Sequence, residues 1–567
     1  MKIPKLSPAA YGMFLIIIAG FGGLLYGVDL GVIAAALLYL SKTVNLTLTQ
    51  TSAIVAAVLG GSMVSSLIAG LLADWFGRKR IMIMSGAMFL ASVVLIVVSQ
   101  GFALLLFGRL LQGMSGGVIA VVIPLYLAEC LGAQTRGRGT GVFQLLLTFG
   151  IVVASIAGLL YTRAAEAAIV AAAGNKELIL AAENHAWRGM FLATIYPGLI
   201  FFAGTLLLVE SPRWLYRKGR IAEARLAFHR LLPSHEADLQ LAEMKTIASE
   251  GAAKATGHAS DSLLRRKYVV PFVLACIVLA CTQATGINSI LGFLVVILKQ
   301  AGMSPAHATQ GDLAVKIVQC LVTAVAALLV DKKGRRFLLR IGTGGLVISL
   351  VLCAALFHTF EAQRLDVKTP VQAAVRRDML HFVLGPGRFG TVHPGRSNVL
   401  TILYSYGHGS RVLTTLDTDP EKIVTIAPEG EEVGSPLTIQ RAFYGPIASK
   451  TTGCLIAACL GLFVSFFALG PGVVVWLMLS ELMPTRIRST GMGIALLINQ
   501  GVSTAIAAVF LPAVGNYGFY AIFLFWAGCT AVYFLTATFF LPETKGRTLE
   551  EIEEYFDRPR GEEVAAS

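Results

Sequence analysis

The chain has 567 residues, 56% hydrophobic and only 14% charged, with a mean hydropathy of +0.73. That balance excludes an ordinary soluble enzyme and describes a polytopic membrane protein. A net charge of +13 does not indicate nucleic acid as partner, because no basic stretch is interleaved with exposed aromatics; the charge lies in short loops, as the positive-inside rule requires.

Apolar runs of spanning length recur along the chain, and we count twelve. Irregular backbone cannot face lipid, so they are read as helices. The start, MKIPKLSPAAYGMFLIIIAGFGG, is basic but offers no small-residue cleavage site, and is taken as the first spanning helix. Helix 1 is expected over about Tyr11–Leu40, helix 2 over Thr51–Ala73 and helix 3 over Ile81–Val98. Between 2 and 3, Arg78, Lys79 and Arg80 place the turn in the cytoplasm and hence the N-terminus inside. Helix 4, Gly108–Cys130, runs inward. Its Arg109 lies towards the outer side and Glu129 at the inner end, roughly 30 Å apart. Gly113, Gly116 and Gly117 between them allow close helix packing. An intramembrane arginine is a functional candidate; snorkelling to the interface is the alternative.

Helix 5 is expected over about Gly139–Leu160 and helix 6 over Trp187–Val209; between them Tyr161–Ala186 is an Ala-rich outer loop, with extension of either helix as the alternative. Residues 210–267 are charged and cytoplasmic, with short amphipathic helices. Helices 7 (Val269–Leu298), 8 (Leu313–Val330) and 9 (Phe337–Phe357) follow. Lys316 in helix 8 has no assigned role beyond reaching the outer interface. Next, His358–Lys450 is polar, nearly charge-balanced and outside by topology. Its NVLTILYSYGHGSRVLTTL and EKIVTIAPEG runs are strand-like, so we expect a folded lid or partner site. Helices 10 (Thr451–Ser480), 11 (Thr490–Phe510) and 12 (Phe519–Leu541) precede a charged cytoplasmic tail. The expected organisation is 1–209, a six-helix bundle; 210–267, a linker; 268–541, a second bundle interrupted by the insertion 358–450; and 542–567, the tail. All eight cysteines lie in or beside apolar segments without metal spacing, so neither a structural disulfide nor a metal site is expected.

The chain repeats itself. Asp74, Gly77 and Arg78 recur as Asp331, Gly334 and Arg335. Glu129, seven residues before Arg136, recurs as Glu481, seven before Arg488. Two halves of the same topology are the pattern of parallel-repeat transporters, with substrate near the midplane. The repeated acids and arginines suit an inner gate of several weak ion pairs, each contributing about 0–1 kcal/mol. Asp29, in the outer half of helix 1, matches the depth of Arg109. A guanidinium holds a neighbouring carboxylate ionised, and a desolvated carboxyl without it favours the proton. The pair is therefore a candidate proton switch, with a permanent structural salt bridge as the alternative.

These residues carry a resemblance. GGLLYGVD (22–29), DWFGRKR (74–80), GRLLQG (108–113), PLYLAE (124–129), ESPRWL (210–215), QATGIN (283–288), DKKGRR (331–336), GPGVVVW (470–476) and PETKGRTLEE (542–551) resemble the sugar porter family of the major facilitator superfamily, over nearly the whole chain except 358–450. The resemblance implies an all-α, twelve-helix fold of two pseudo-symmetric halves with an intracellular helical domain. It implies sugar contacts from Gln144, Gln283, Asn288, Trp476 and Asn499, aromatic positions at Tyr26 and Phe467, and Gln319 where relatives often carry Asn. Amides satisfy hydroxyls as both donor and acceptor, and rings cover the C–H face. It also implies that Asp29 takes the proton while Arg109 tunes it, as in bacterial sugar–proton symporters. Four positions depart from the pattern: Thr282 replaces one of a paired Gln, Leu291 and Gly292 replace an aromatic pair, and Gln500 replaces a Trp. The expectation is a proton-coupled symporter of a monosaccharide or polyol in the cell membrane, of bacterial inner-membrane type. It would be monomeric, contacting lipid, with both termini cytoplasmic and no cofactor. A facilitative uniporter is the alternative, and a non-transporting sensor a lesser one. No nucleophile–base pair suggests an enzyme.

Overall fold

The computed structural model describes the chain apart from residues 1–6, 132, 255–264, 385–387, 390–397, 408, 417–422, 429–432, 447–448, 484–487, 546–550, 552–554 and 557–567. Polar caps start its apolar helices. Ser7 accepts from Ala10 N at the head of α1 (Pro8–Thr43). Thr47 and Gln50 form a reciprocal capping box at the head of α2 (Leu48–Phe76). α3 (Arg78–Val98) and α4 (Phe102–Cys130) follow. On α4, a Cβ on Gly113 would overlap the Val58 backbone and one on Gly117 would overlap Ser65. The expected glycine face is thus the seat of α2.

α5 (Ala133–Ala171) and α6 (Lys176–Ala193) take up most of the expected outer loop, one of the outcomes the sequence allowed. The Ala-rich segment lengthens both helices, leaving a turn around Gly174, because alanine is the strongest helix former. Asn175 caps α6, which continues through α7 (Ile195–Leu207). The expected amphipathic segment forms α8 (Pro212–Arg217), α9 (Ile221–Leu231) and α10 (Ser234–Lys254).

α11 (Arg266–Ala284) and α12 (Ile287–Gln300) are one span bent at Gly286, whose φ of 81° is left-handed. α13 (Pro305–Lys333) begins earlier than expected, because Ser304 caps it and Pro305 fills its first position. α14 (Arg335–Glu361) leads to the insertion, and α16 (Lys450–Leu469), α17 (Pro471–Leu482) and α18 (Arg488–Phe539) close the chain. Among the described residues, 11 helical stretches are long and apolar enough to cross a membrane. The last, Gly491–Phe539, has 49 residues, roughly 74 Å of helix and more than two hydrocarbon thicknesses. It breaks at Gly518, φ 80°, where Glu361 accepts from the N–H groups of Phe519 and Tyr520 at 3.1 and 3.2 Å.

The insertion holds two antiparallel sheets around a short helix, α15 (Lys368–Ala373). One sheet has the order β1 (Leu365–Asp366), β7 (Thr438–Pro446), β4 (Asn398–Ser405), β5 (Ser410–Leu416). The other runs β2 (Val375–Arg376), β3 (Met379–Val383), β6 (Ile423–Ile426). Both strand-like runs are strands, and they pack on their own apolar core, including Leu400, Ile402, Val424 and Ile439.

Three further cores describe the state of the bundle. One joins α1 residues 28–40 to α12, α14, α16 and α18 at the end bearing the insertion. At the opposite, basic end the α1–α7 helices and the α11–α18 helices have separate cores. The molecule is therefore closed at the β-domain end and divided at the basic end.

Candidate functional site

Asp29 and Arg109, matched in the sequence by topology, meet in the structure. Arg109 Nη1 donates to Asp29 Oδ1 at 3.1 Å, and each residue is at most 1% exposed. The same nitrogen donates to Gln112 Oε1 at 2.7 Å, one turn along α4. The Phe191 ring lies 5.5 Å from the guanidinium carbon. Arg109 thus has a neutral acceptor and a ring besides its carboxylate; a snorkelling arginine would have none of these. Tyr26, one turn before Asp29, lies against Ser62 and Gln500. Its ring would meet a Cβ on Gly116.

Across from this pair, amides form a chain. Asn288 Nδ2 donates to Ser503 Oγ at 2.7 Å and to Gln283 Oε1 at 3.0 Å. Gln283 Nε2 donates to Asn499 Oδ1 at 3.2 Å, and Asn499 Nδ2 to the Leu279 carbonyl at 3.0 Å. The bend at Gly286 puts Gln283 and Asn288 on either side of a helix break, so both side chains reach α18. Arg109 and Asn288 line one cavity with Val55, Ile33, Leu291 and Gly292. The two sets of polar residues therefore share a wall, and the departures at Leu291 and Gly292 belong to it.

The remaining expected residues are more scattered. Gln144 is half-buried on α5, with no side-chain hydrogen bond among the described residues. Gln319 is buried with its Oε1 unpartnered among the described residues. Phe467 packs at the edge of the shared core and beside Gly472. The side chain of Trp476 lies outside the described residues. Gln500, the departure from Trp, donates to Ser62 Oγ at 3.2 Å and joins α18 to α2.

At the basic end, Arg78 is 1% exposed and reaches Glu129 at 2.8 Å and Asp74 at 2.7 Å. The second copy is Arg335 to Glu481 at 3.1 Å. Gly77 and Gly334 precede both arginines with φ of 98° and 91°, a conformation that favours glycine. The side chains of Arg136, Asp331 and Arg488 lie outside the described residues, so Glu129 is defined by Arg78 and by Arg217 at 2.9 Å.

Sequence reasoning passed over the acids that hold each copy in place. Glu210 accepts from the backbone N–H of Arg78 and Lys79 at 2.9 and 3.1 Å. Glu543 does the same for Arg335 and Arg336 at 3.0 and 3.1 Å. The next residue in each case, Ser211 or Thr544, donates its hydroxyl to Glu129 or Glu481 at 2.5 and 2.6 Å. Each acid caps an otherwise uncapped helix start. The signal was present in the motifs ESPRWL and PETKGR, but as spelling without a partner. All eight cysteines are free, and no cluster of metal-ligating side chains occurs among the described residues.

Known proteins share this chain's sequence pattern and fold. The family model for sugar (and other) transporters matches residues 15–374 and 437–556, leaving much of the β-domain unmatched. The glucose transporter GlcP of Staphylococcus epidermidis is 28% identical over 545 residues, 95% of this chain and 96% of that protein. The probable inositol transporter 3 of Arabidopsis thaliana is 28% identical over 566 residues, 96% of this chain and 92% of that one. The inward open structure of the xylose transporter XylE from E. coli superposes with a TM-score of 0.66 at 19% identity, covering 96% and 99% of the two chains. The chain belongs to the sugar porter family of the major facilitator superfamily and is a multi-pass membrane sugar transporter, not an enzyme.

Proposed function

We propose that the protein is a proton-coupled symporter of a monosaccharide or polyol, working by alternating access. One observation carries this reading: Arg109, bonded to Asp29, lines the same cavity as Asn288. Charge and sugar recognition are thus adjacent. A carboxylate beside a guanidinium stays ionised, and a desolvated carboxyl deprived of it favours its protonated form. Asp29 carries the proton when Arg109 withdraws to Gln112. The amides Gln283, Asn288 and Asn499 hold the hydroxyls, with Gln144, Gln319, Tyr26, Phe467 and Trp476 completing the site in the sugar-bound cycle.

The break at Gly518 divides the last stretch into two spans, giving twelve in halves 1–209 and 268–541. The basic end and both termini face the cytoplasm, in the cell membrane. The Arg78–Glu129 and Arg335–Glu481 clusters, with Arg136 and Arg488, brace the halves for the inner gate. The name of one relative, an inositol transporter, supports a polyol as substrate. A solved neighbour described as a proton:xylose symporter supports the coupling. The protein acts as a monomer surrounded by lipid. The test is sugar-induced alkalinisation of the medium by cells expressing the protein. Adding transported sugar raises external pH if the reading is right; unchanged pH during measured uptake makes it a uniporter.

A further inference from the structure

The bundle contains a further buried ion pair that has no part in the sugar-binding and proton-transfer sites proposed above. Asp312 and Lys316 sit one turn apart on α13, each 1% exposed, with Lys316 Nζ 2.8 Å from Asp312 Oδ1 and 3.0 Å from Oδ2. Lys316 is buried, not snorkelling, which corrects its expected role. The pair is not self-contained. Ser155 Oγ of α5 donates to Asp312 Oδ2 at 2.7 Å. Lys316 Nζ donates to the Gly31 carbonyl of α1 at 3.4 Å. Both outside partners belong to the N-terminal bundle, while the charges belong to the C-terminal one. Gly31 is two residues beyond Asp29. The polar ties Ser52 to Leu511 N and Gln500 to Ser62 cross the same interface but carry no charge.

We propose that Asp312 and Lys316 form a charged latch between the two bundles, which sets how readily the β-domain end opens and positions α1 beside Asp29. The physics follows from where the charges are. A buried pair is costly to desolvate, and it is held only while neighbouring groups satisfy its remaining donors and acceptors. With this end closed, Ser155 and the Gly31 carbonyl supply them. Opening withdraws α1 and α5 and hydrates both charges. Closing must remove that water again, so the pair opposes any half-open state in which it is dry but unpartnered. This inference rests on the alternating-access reading but not on proton coupling.

The test is labelling without sugar or gradient, so its failure leaves the proton reading untouched. In a background with the native cysteines replaced, Val55→Cys in the cavity wall is exposed to an impermeant maleimide from the β-domain side only. Asp312→Asn or Lys316→Met alone strands one buried charge and is expected to raise the labelling rate at least about tenfold. The double substitution leaves no stranded charge but loses both cross-bundle bonds, and is expected to raise the rate by clearly less than either single substitution. Ser155→Ala leaves the pair intact but loses one hydrogen bond to a charged group, and raises the rate about tenfold; it decides the matter if the single charge variants do not fold. Unchanged rates in folded single variants and in Ser155→Ala overturn the latch. Equal increases in the singles and the double also overturn it, because the site would then serve packing alone.

Discussion

At the basic end of the first bundle Arg78 reaches Glu129, Glu210 caps the start of α3 and Ser211 steadies Glu129. In the second bundle Arg335, Glu481, Glu543 and Thr544 repeat these contacts. Around the cavity the likeness ends. The first bundle holds the ion pair Asp29–Arg109, and the second holds the amide chain from Ser503 to Asn499. The repeated parts brace helix ends, a task both halves share. The divergent parts face the cavity, where one half offers charge and the other hydrogen bonds. On the proposed function, coupling and recognition thus fall to different halves, while both halves keep the same helix-end bracing.

That comparison can be broken at its strongest contact first. Arg78 is 1% exposed, so Arg78→Leu strands Glu129 and is expected to destabilise the protein by about 3–5 kcal/mol. Arg335 is 13% exposed by side chain, and Arg335→Leu should cost less, about 1–3 kcal/mol. Thermal unfolding in detergent compares them; an equal or reversed order contradicts the difference in burial. Ser211→Ala and Thr544→Val each remove one hydroxyl from a buried carboxylate. Similar losses of about 1.5–3 kcal/mol are expected in both, and a loss in only one would break the repeat. Around the cavity, Gln283→Ala leaves Asn288 and Asn499 short of a partner. The sugar KM should rise by about tenfold or more, while the ratio of uptake with and without a pH gradient stays unchanged. Loss of that ratio would mean that recognition and coupling are not separate.

The smallest effect concerns Glu210. Burial, outweighing the N–H donors of Ser211, Lys79 and Arg78, raises its proton affinity above the usual carboxylate range. A carboxyl that binds its proton more tightly folded than unfolded stabilises the fold below the ordinary glutamate value, about 4.3. That contribution is lost as pH rises through the shifted value. Glu210→Gln should flatten this part of the stability–pH profile. A profile unchanged in the variant would assign the slope to other groups.

Much of the membrane part was legible because its rules are local. Apolar length gave the spans, basic turns marked one end, and helix direction put Asp29 level with Arg109. The DWFGRKR and DKKGRR echo gave the repeat. What escaped depended on partners far along the chain. Glu210 and Glu543 act on backbone N–H groups more than 130 residues away, and no residue pattern marks a backbone acceptor. Ser503 is one hydroxyl among many in an apolar helix. Asp312 went unpaired because the helix was expected to begin at Leu313; Ser304 starts it eight residues earlier and brings Lys316 one turn away.

Asp29 is the residue on which the proposed coupling depends. Purified protein in vesicles, loaded with sugar for counterflow and separately given an inward pH gradient, distinguishes exchange from coupled uptake. Asp29→Asn is expected to abolish gradient-driven accumulation while counterflow exchange persists. Gradient-driven accumulation at the parental level in the variant would contradict the proton role of Asp29.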